Sequence, residues 1–284
     1  MTNTQRSTLT RLVTGSILFF LLLRLSQHAT LSGILAPPLF AAELDMTYWI
    51  YKTMRIPDLI VNNRAGAIIF DCLLFSTGIL SFLYPLQRKW IIPFSVLLFF
   101  YVITFCGFAT HHLGQVFGYM VVLLPFWVAD NYKFSLAWEG MRYLTCLVYT
   151  LAFAWKIFLG NSFYFLQQGA GSFKANLVDY IYLNPDNLLT HFYEWWLRHE
   201  WLLNAGDKLV IILEGVMVIG FFTRKHDKVL IWIPVFIHVA TYFFSDVFFI
   251  ELLVIDLSLL SCRQLDRIGE WFNGLALKMR GMAK

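Results

Sequence analysis

Long apolar runs separated by short polar turns dominate the chain. They lie at about 12–36, 65–84, 90–109, 113–129, 142–160, 208–223, 229–245 and 247–261. A helix needs roughly 17–25 such residues to cross the hydrocarbon layer. Several runs are near or below that length and suit little tilt or a thinned bilayer. The runs are continuous rather than alternating, which points to helices and away from a barrel. The third and fourth come from one stretch, 90–129, too long for one helix and broken at "ATHHLG". The pattern predicts an all-α, polytopic integral membrane bundle of about eight transmembrane helices with one external interfacial helix. It forms a single transmembrane domain over 1–284, with the bundle at about 12–262 and a cytoplasmic tail at 263–284.

Residues 1–23 carry Arg6 and Arg11 ahead of an apolar core, as a signal peptide does. With seven more runs behind it, the segment reads as the first anchor. Basic residues favour the cytoplasmic side of short loops. With the N-terminus inside, fourteen of the 22 basic residues fall inside and six outside, while Arg24 and Lys156 fall within spans. Merging 90–129 into one span would move the basic tail outside, so eight spans with both termini in the cytoplasm fit better.

Two external segments follow, 37–64 and 161–207. The second contains "NPDNLLTHFYEWWLRHEWLLNAG", where Leu188, Leu189, Phe192, Trp195, Trp196 and Leu202 recur at helical spacing. Asn184 suits a cap and Pro185 the first helical position, with Asn204 and Gly206 at the far end. Dense tryptophan suits a helix lying at headgroup depth. Such a helix serves equally as a structural collar or as a lid over a site.

Hydrophobic residues make up 58% of the chain and charged residues 14%, against about 25% charged in soluble domains. The net charge of +4 is too small and scattered for a nucleic-acid groove. The four cysteines (Cys72, Cys106, Cys146 and Cys262) lack metal-ligand or redox-motif spacing and read as packing residues.

The few polar groups inside the apolar runs carry the candidate chemistry, since each costs about 2.5–3.5 kcal/mol at mid-bilayer on insertion scales. In the eight-span arrangement Arg24, Asp71, His111, His112, Lys156, Glu214, His238, Asp246 and Glu251 all fall in the outer half; Asp256 alone is deeper. This one-sided set predicts a polar cavity open to the external face. Each residue also has a plainer reading. Lys156 can snorkel to the interface. Glu214 can pair with Lys208 or Lys156, and His238 can be a hydrogen-bonded core histidine. Asp256 can bond between helices. Arg24 suits neutralising Asp71 or Glu251, and these three with Trp155 form the expected substrate-binding set. Adjacent His111 and His112 point apart on a helix, which argues against metal, and none is predicted.

The runs "YTLAFAWKIF", "VIILEGVMVIGFFTRK" and "WIPVFIHVATYFFSDVFFIELLVIDL" resemble the membrane domain of vitamin K-dependent gamma-carboxylase, within the wider horizontally transferred transmembrane (HTTM) group. "THHLGQVFGYMVVLLPFW" is similar to the family's polar turn. The likeness covers most of residues 1–262 through short, degenerate motifs. It implies that Lys156 is the base taking a proton from a reduced quinone, with His111 or His112 and His238 at the family's histidine positions. Oxygen-dependent hydroquinone oxidation would drive a second reaction. The chain departs from the pattern in having Trp155 where the family has a first lysine, and in lacking the large external substrate domain.

Two functions follow. One is a quinol- or lipid-dependent oxidoreductase or lyase with an outward-facing intramembrane site, Lys156 as base, and Glu214 and His238 as orienting groups. A lysine desolvated by lipid and by Phe153 and Trp155 disfavours its charged form, which frees an amine to act as base. The other is a non-catalytic accessory protein in export or maturation of a secreted partner. Small members of the group look like such proteins, one in maturation of a secreted bacterial toxin, which implies the bacterial inner (cytoplasmic) membrane. No inverted repeat or paired broken helices suggest a transporter. The expected partners are the bilayer, a lipid-soluble substrate, or a membrane or secreted protein, and no nucleic acid.

Overall fold

The computed structural model describes residues 1–33, 53–60, 63–108, 121–158, 168–245 and 252–282. Among these residues all regular structure is helical, with no strand. Four stretches are long and apolar enough to cross a membrane: Asn3–Gly33, Arg64–Leu83, Arg88–Phe105 and Asp227–Phe244. They coincide with the apolar runs at 12–36, 65–84, 90–109 and 229–245. Of the other four runs, 113–129, 142–160 and 247–261 fall partly outside the described residues. Residues 109–120, which hold His111 and His112, lie outside the described residues, as do 246–251 with Asp246 and Glu251.

The chain divides into two compact units, Met1–Glu139 with Leu260–Lys284, and Gly140–Leu259. In the first, α1 (Asn3–Ser26) starts well before the apolar run because Thr2 and Gln5 form a reciprocal capping box. Asn63 caps α2 (Arg64–Leu83), its Oδ1 accepting from Ala65 N and Gly66 N. α3 (Arg88–Phe108) follows after a short turn. Leu9, Val13, Ile17 and Leu21 of α1, Leu74 of α2, and Phe94 and Leu98 of α3 are buried, and α2 packs against both α1 and α3. The crossing needs Gly78, where a Cβ would come within 2.8 Å of both Leu18 and Phe94. Hydroxyls on these apolar helices donate to the carbonyl one turn back: Thr10 to Arg6, Thr14 to Thr10, Ser81 to Thr77 and Thr104 to Phe100. That removes the cost of an unsatisfied polar group away from water.

The segment after 261, expected only as a tail, is a helix over Cys262–Met282. Gln264, Leu265, Ile268 and Gly269 face inward at helical spacing while Arg263, Asp266, Arg267 and Glu270 face out. It packs on α1, where Gln5 Nε2 donates to Asp266 and a Cβ on Gly269 would meet Thr8 Oγ1 at 2.7 Å. The Arg6 guanidinium donates to the carbonyls of Ala129 and Val128 and lies over Phe134, so its charge has partners inside this unit.

α4 (Asn131–Phe158) starts in the first unit and continues into the second, beginning eleven residues' length earlier than the expected span at about 142. Thereafter come α5 (Gln168–Leu183), α6 (Leu188–Arg198), α7 (Glu200–Val216) and α8 (Trp232–Ser245). The single helix expected between Asn184 and Gly206 is thus two, α6 and the first part of α7, with α5 before them. Asn187, not Asn184, caps α6: its extended backbone lets Oδ1 accept from Leu189 N at 2.9 Å. Asn184 sits after α5, where its carbonyl accepts from Thr190 Oγ1. Asn204 and Gly206 lie within α7 rather than ending a helix, because Asn204 Oδ1 instead accepts from Ala170 N in the first turn of α5. The contact is close enough that a Cβ on Gly169 would meet Leu203 O at 2.4 Å.

Candidate functional site

In the 140–259 unit, α4 presents Tyr149, Phe153 and Lys156 at i, i+4 and i+7, one face of the helix. α7 crosses this face. A Cβ on Gly215 would stand 3.0 Å from the Phe153 ring, so the helices touch where glycine leaves room. The crossing brings Lys156 Nζ to Glu214 Oε1 at 2.6 Å. The Glu214 side chain is 6% exposed and that of Lys156 33%. Glu214 Oε2 has no hydrogen-bond partner among the described residues. Of the two pairings open to Glu214, the structure makes the one with Lys156; Lys208 bonds Asp207 at 3.1 Å.

Lys156 also lines a cavity of about 300 Å³ in the same unit. Its wall is mostly apolar, with Phe173 of α5, Trp196 of α6, Val210 of α7, and Phe236 and Phe244 of α8. Phe244 packs edge-on to Trp196 at 4.9 Å between ring centroids, so the α6 tryptophan stands in the wall. The polar contributions are Lys156, Asp207, Ser172 and Thr241. The volume is at the lower end of the ~300–1,000 Å³ usual for small-molecule sites, and few polar groups in an apolar wall fit an apolar ligand with one polar end.

His238 is buried on α8, and its Nε2 is 2.8 Å from the Tyr149 hydroxyl. That hydroxyl also reaches Asp256 Oδ2 at 3.2 Å. Next to this group, Thr145 Oγ1 bonds Ser258 Oγ at 2.9 Å and donates to Ile255 O. One turn earlier on α4, Arg142 makes a two-pronged bond to Asp227, both contacts 2.8 Å, and donates to Thr223 O. The pair is buried, with side-chain exposures of 3% and 10%.

The sequence-derived set is thereby divided. Lys156 and Glu214 meet, and His238 stands in a separate buried group with Tyr149 and Asp256. Trp155 turns outward and is 63% exposed, as its position beside Lys156 on a helix requires, whereas Phe153 lies on the α4 face that meets Gly215. Arg24 and Asp71 belong to the other compact unit. There Arg24 lies over the Phe105 ring at 4.3 Å, and Asp71 Oδ2 accepts from Ser32 N at 2.9 Å. His111, His112 and Glu251 fall outside the described residues. Tyr149 and Asp207 escaped sequence reasoning. Tyr149 had a signal, its two-turn spacing from Lys156, whereas nothing distinguishes Asp207 before α5, α7 and α8 surround the cavity. No protein-family model matches the chain, and neither a curated protein nor a solved structure matches it.

Proposed function

We propose that the chain is a polytopic integral membrane protein of about eight spans, with both termini in the cytoplasm of a bacterial inner membrane, related to the gamma-carboxylase membrane domain. In this reading the 140–259 unit removes a proton from a lipid-soluble hydroquinone or similar molecule in the cavity beside Lys156. The single supporting observation is that the cavity's one lysine is hydrogen-bonded at 2.6 Å to a buried carboxylate. In an apolar surround an ammonium–carboxylate pair is costly, and passing the proton to the carboxylate leaves a neutral amine next to the neutral acid. Lys156 Nζ then accepts a hydroxyl proton from the ligand, whose oxygen becomes an anion. Trp196 and Phe244 exclude water from that oxygen. Oxidation of the hydroquinone lies with its own ring chemistry and with oxygen as acceptor.

The same pair also favours a second reading. A lysine held at 2.6 Å by a carboxylate makes a sound structural tie between α4 and α7 if the proton stays on nitrogen. The chain would then be an accessory protein for export or maturation, with a lipid in the cavity. Lipid extracted from the purified protein and identified by mass spectrometry tests the choice. A quinone retained by the wild type and lost with Trp196→Ala supports the first reading. Phospholipid alone, with no binding of added hydroquinone, supports the second.

A further inference from the structure

Tyr149, His238 and Asp256 are buried, joined in line, and not used by the chemistry above. The tyrosine hydroxyl has one proton and stands between two groups that each either give or take one. With Asp256 ionised, Tyr149 donates to Oδ2, and His238 must hold its hydrogen on Nε2 and donate to the tyrosine oxygen. With Asp256 protonated, the acid donates to the tyrosine oxygen, Tyr149 donates to Nε2, and the histidine hydrogen is on Nδ1. The second state contains one proton more than the first.

We infer that these three side chains form a one-proton acceptor that works by relay. A proton arrives at His238 Nδ1, the Nε2 proton passes to the tyrosine oxygen, and the tyrosine proton passes to Asp256 Oδ2. Only N–H and O–H bonds are exchanged, and no electrons leave or enter. Two features make the reversal selective. Asp256 is 2% exposed, and its Oδ1 has no hydrogen-bond partner among the described residues, so nothing there holds the carboxylate in its ionised form. Tyr149 bonds both neighbours, so neither can change its proton without the other changing.

Glu214 faces Tyr149 from α7, and Cys146 on α4 is within electrostatic range of Asp256 as well as of Arg142 and Asp227. The Arg142 charge is taken up by its two bonds to Asp227, which leaves no cation bonded to Asp256 among the described residues. Tyr149 lies on the α4 face that carries Lys156, and His238 precedes the cavity-lining Thr241, whose hydroxyl donates to His238 O. Use of this acceptor for a proton leaving the Lys156–Glu214 pair rests on the hydroquinone reading; the acceptor itself does not.

The test uses the full-length protein in lipid nanodiscs, with ¹⁵N-histidine for nitrogen NMR and infrared spectroscopy for protonated carboxyl groups. His238→Gln assigns the ring and Asp256→Asn the carboxyl band. On acidification the His238 hydrogen is expected to move from Nε2 to Nδ1 at the same midpoint at which the Asp256 band appears. Tyr149→Phe, which removes one hydroxyl, should separate the two events. A tautomer or band that does not change with pH overturns the relay, as does a doubly protonated His238 beside an ionised Asp256. So does a Tyr149→Phe protein in which the two midpoints still coincide. If Asp256→Asn does not fold, the wild-type and Tyr149→Phe tautomer curves still decide. Hydroquinone binding is measured separately, so its failure sinks the substrate reading and leaves the acceptor standing.

Discussion

Lys156 is the residue on which the functional readings diverge. Its bond to Glu214 makes Lys156→Met more than the removal of a base, because the buried carboxylate loses its partner. Breaking a buried pair on one side costs about 3–5 kcal/mol, and a third of Lys156 remains exposed, so a loss of about 3 kcal/mol is expected by equilibrium unfolding in mixed micelles. Adding Glu214→Met should return most of it, since two apolar side chains of similar size replace the pair. Lys156→Arg separates chemistry from structure. Guanidinium keeps the charge and can bond the carboxylate, but it cannot give up its proton to become a base. Near-normal stability with no hydroquinone deprotonation is expected, and full activity in the arginine variant would remove Lys156 as base.

Among the elements, the α4–α7 crossing and its continuation determine whether that pair exists. After Val216 the chain tightens into a 3-10 turn, Met217–Phe221, and Gly220 there approaches α4. A Cβ on Gly220 would stand 2.4 Å from Cys146 Sγ, inside contact distance. Gly220→Ala should cost about 1–3 kcal/mol by forcing the two backbones apart. Cys146→Ala in the same chain removes the obstructing sulfur and should recover part of that loss. Equal destabilisation of single and double variants would mean that this contact does not set the crossing. The expected helix from 184 to 204 went astray for a related reason. Its apolar spacing is real, but it continues across the His199 break, and periodicity does not register where one helix stops and another begins in phase.

For the whole molecule, the proposed topology puts residues 161–207 outside and the end of the chain inside. Cysteines introduced at Lys174 and Arg280 in a cysteine-free background test this with an impermeant reagent in intact cells. Lys174→Cys is expected to react from outside, the α5 side chain being 55% exposed, and Arg280→Cys only after the membrane is opened. Reaction of Arg280→Cys in intact cells would overturn the orientation and, with it, the outer-half placement of the polar groups. Such a result would leave the cavity and the Lys156–Glu214 bond as they are, since both are built within one compact unit.

Hydrophobic content by itself determined the helical class and four stretches long and apolar enough to cross a membrane, because a run of apolar residues needs no partner to declare where it prefers to be. Composition also singled out Lys156, Glu214, His238 and Asp256, since a charge is conspicuous against such a background. Their partners were another matter. Glu214 had two lysines within reach on paper, and Asp256 and His238 had no stated link until Tyr149 came between them. A hydrogen bond between residues 58 or 107 positions apart depends on helix phase and crossing, which Gly215 and Gly220 adjust by what they lack. Trp155 shows the limit best: one residue from Lys156 in the chain, it turns 100° away around the helix, and only the packing decides which of the two faces the cavity.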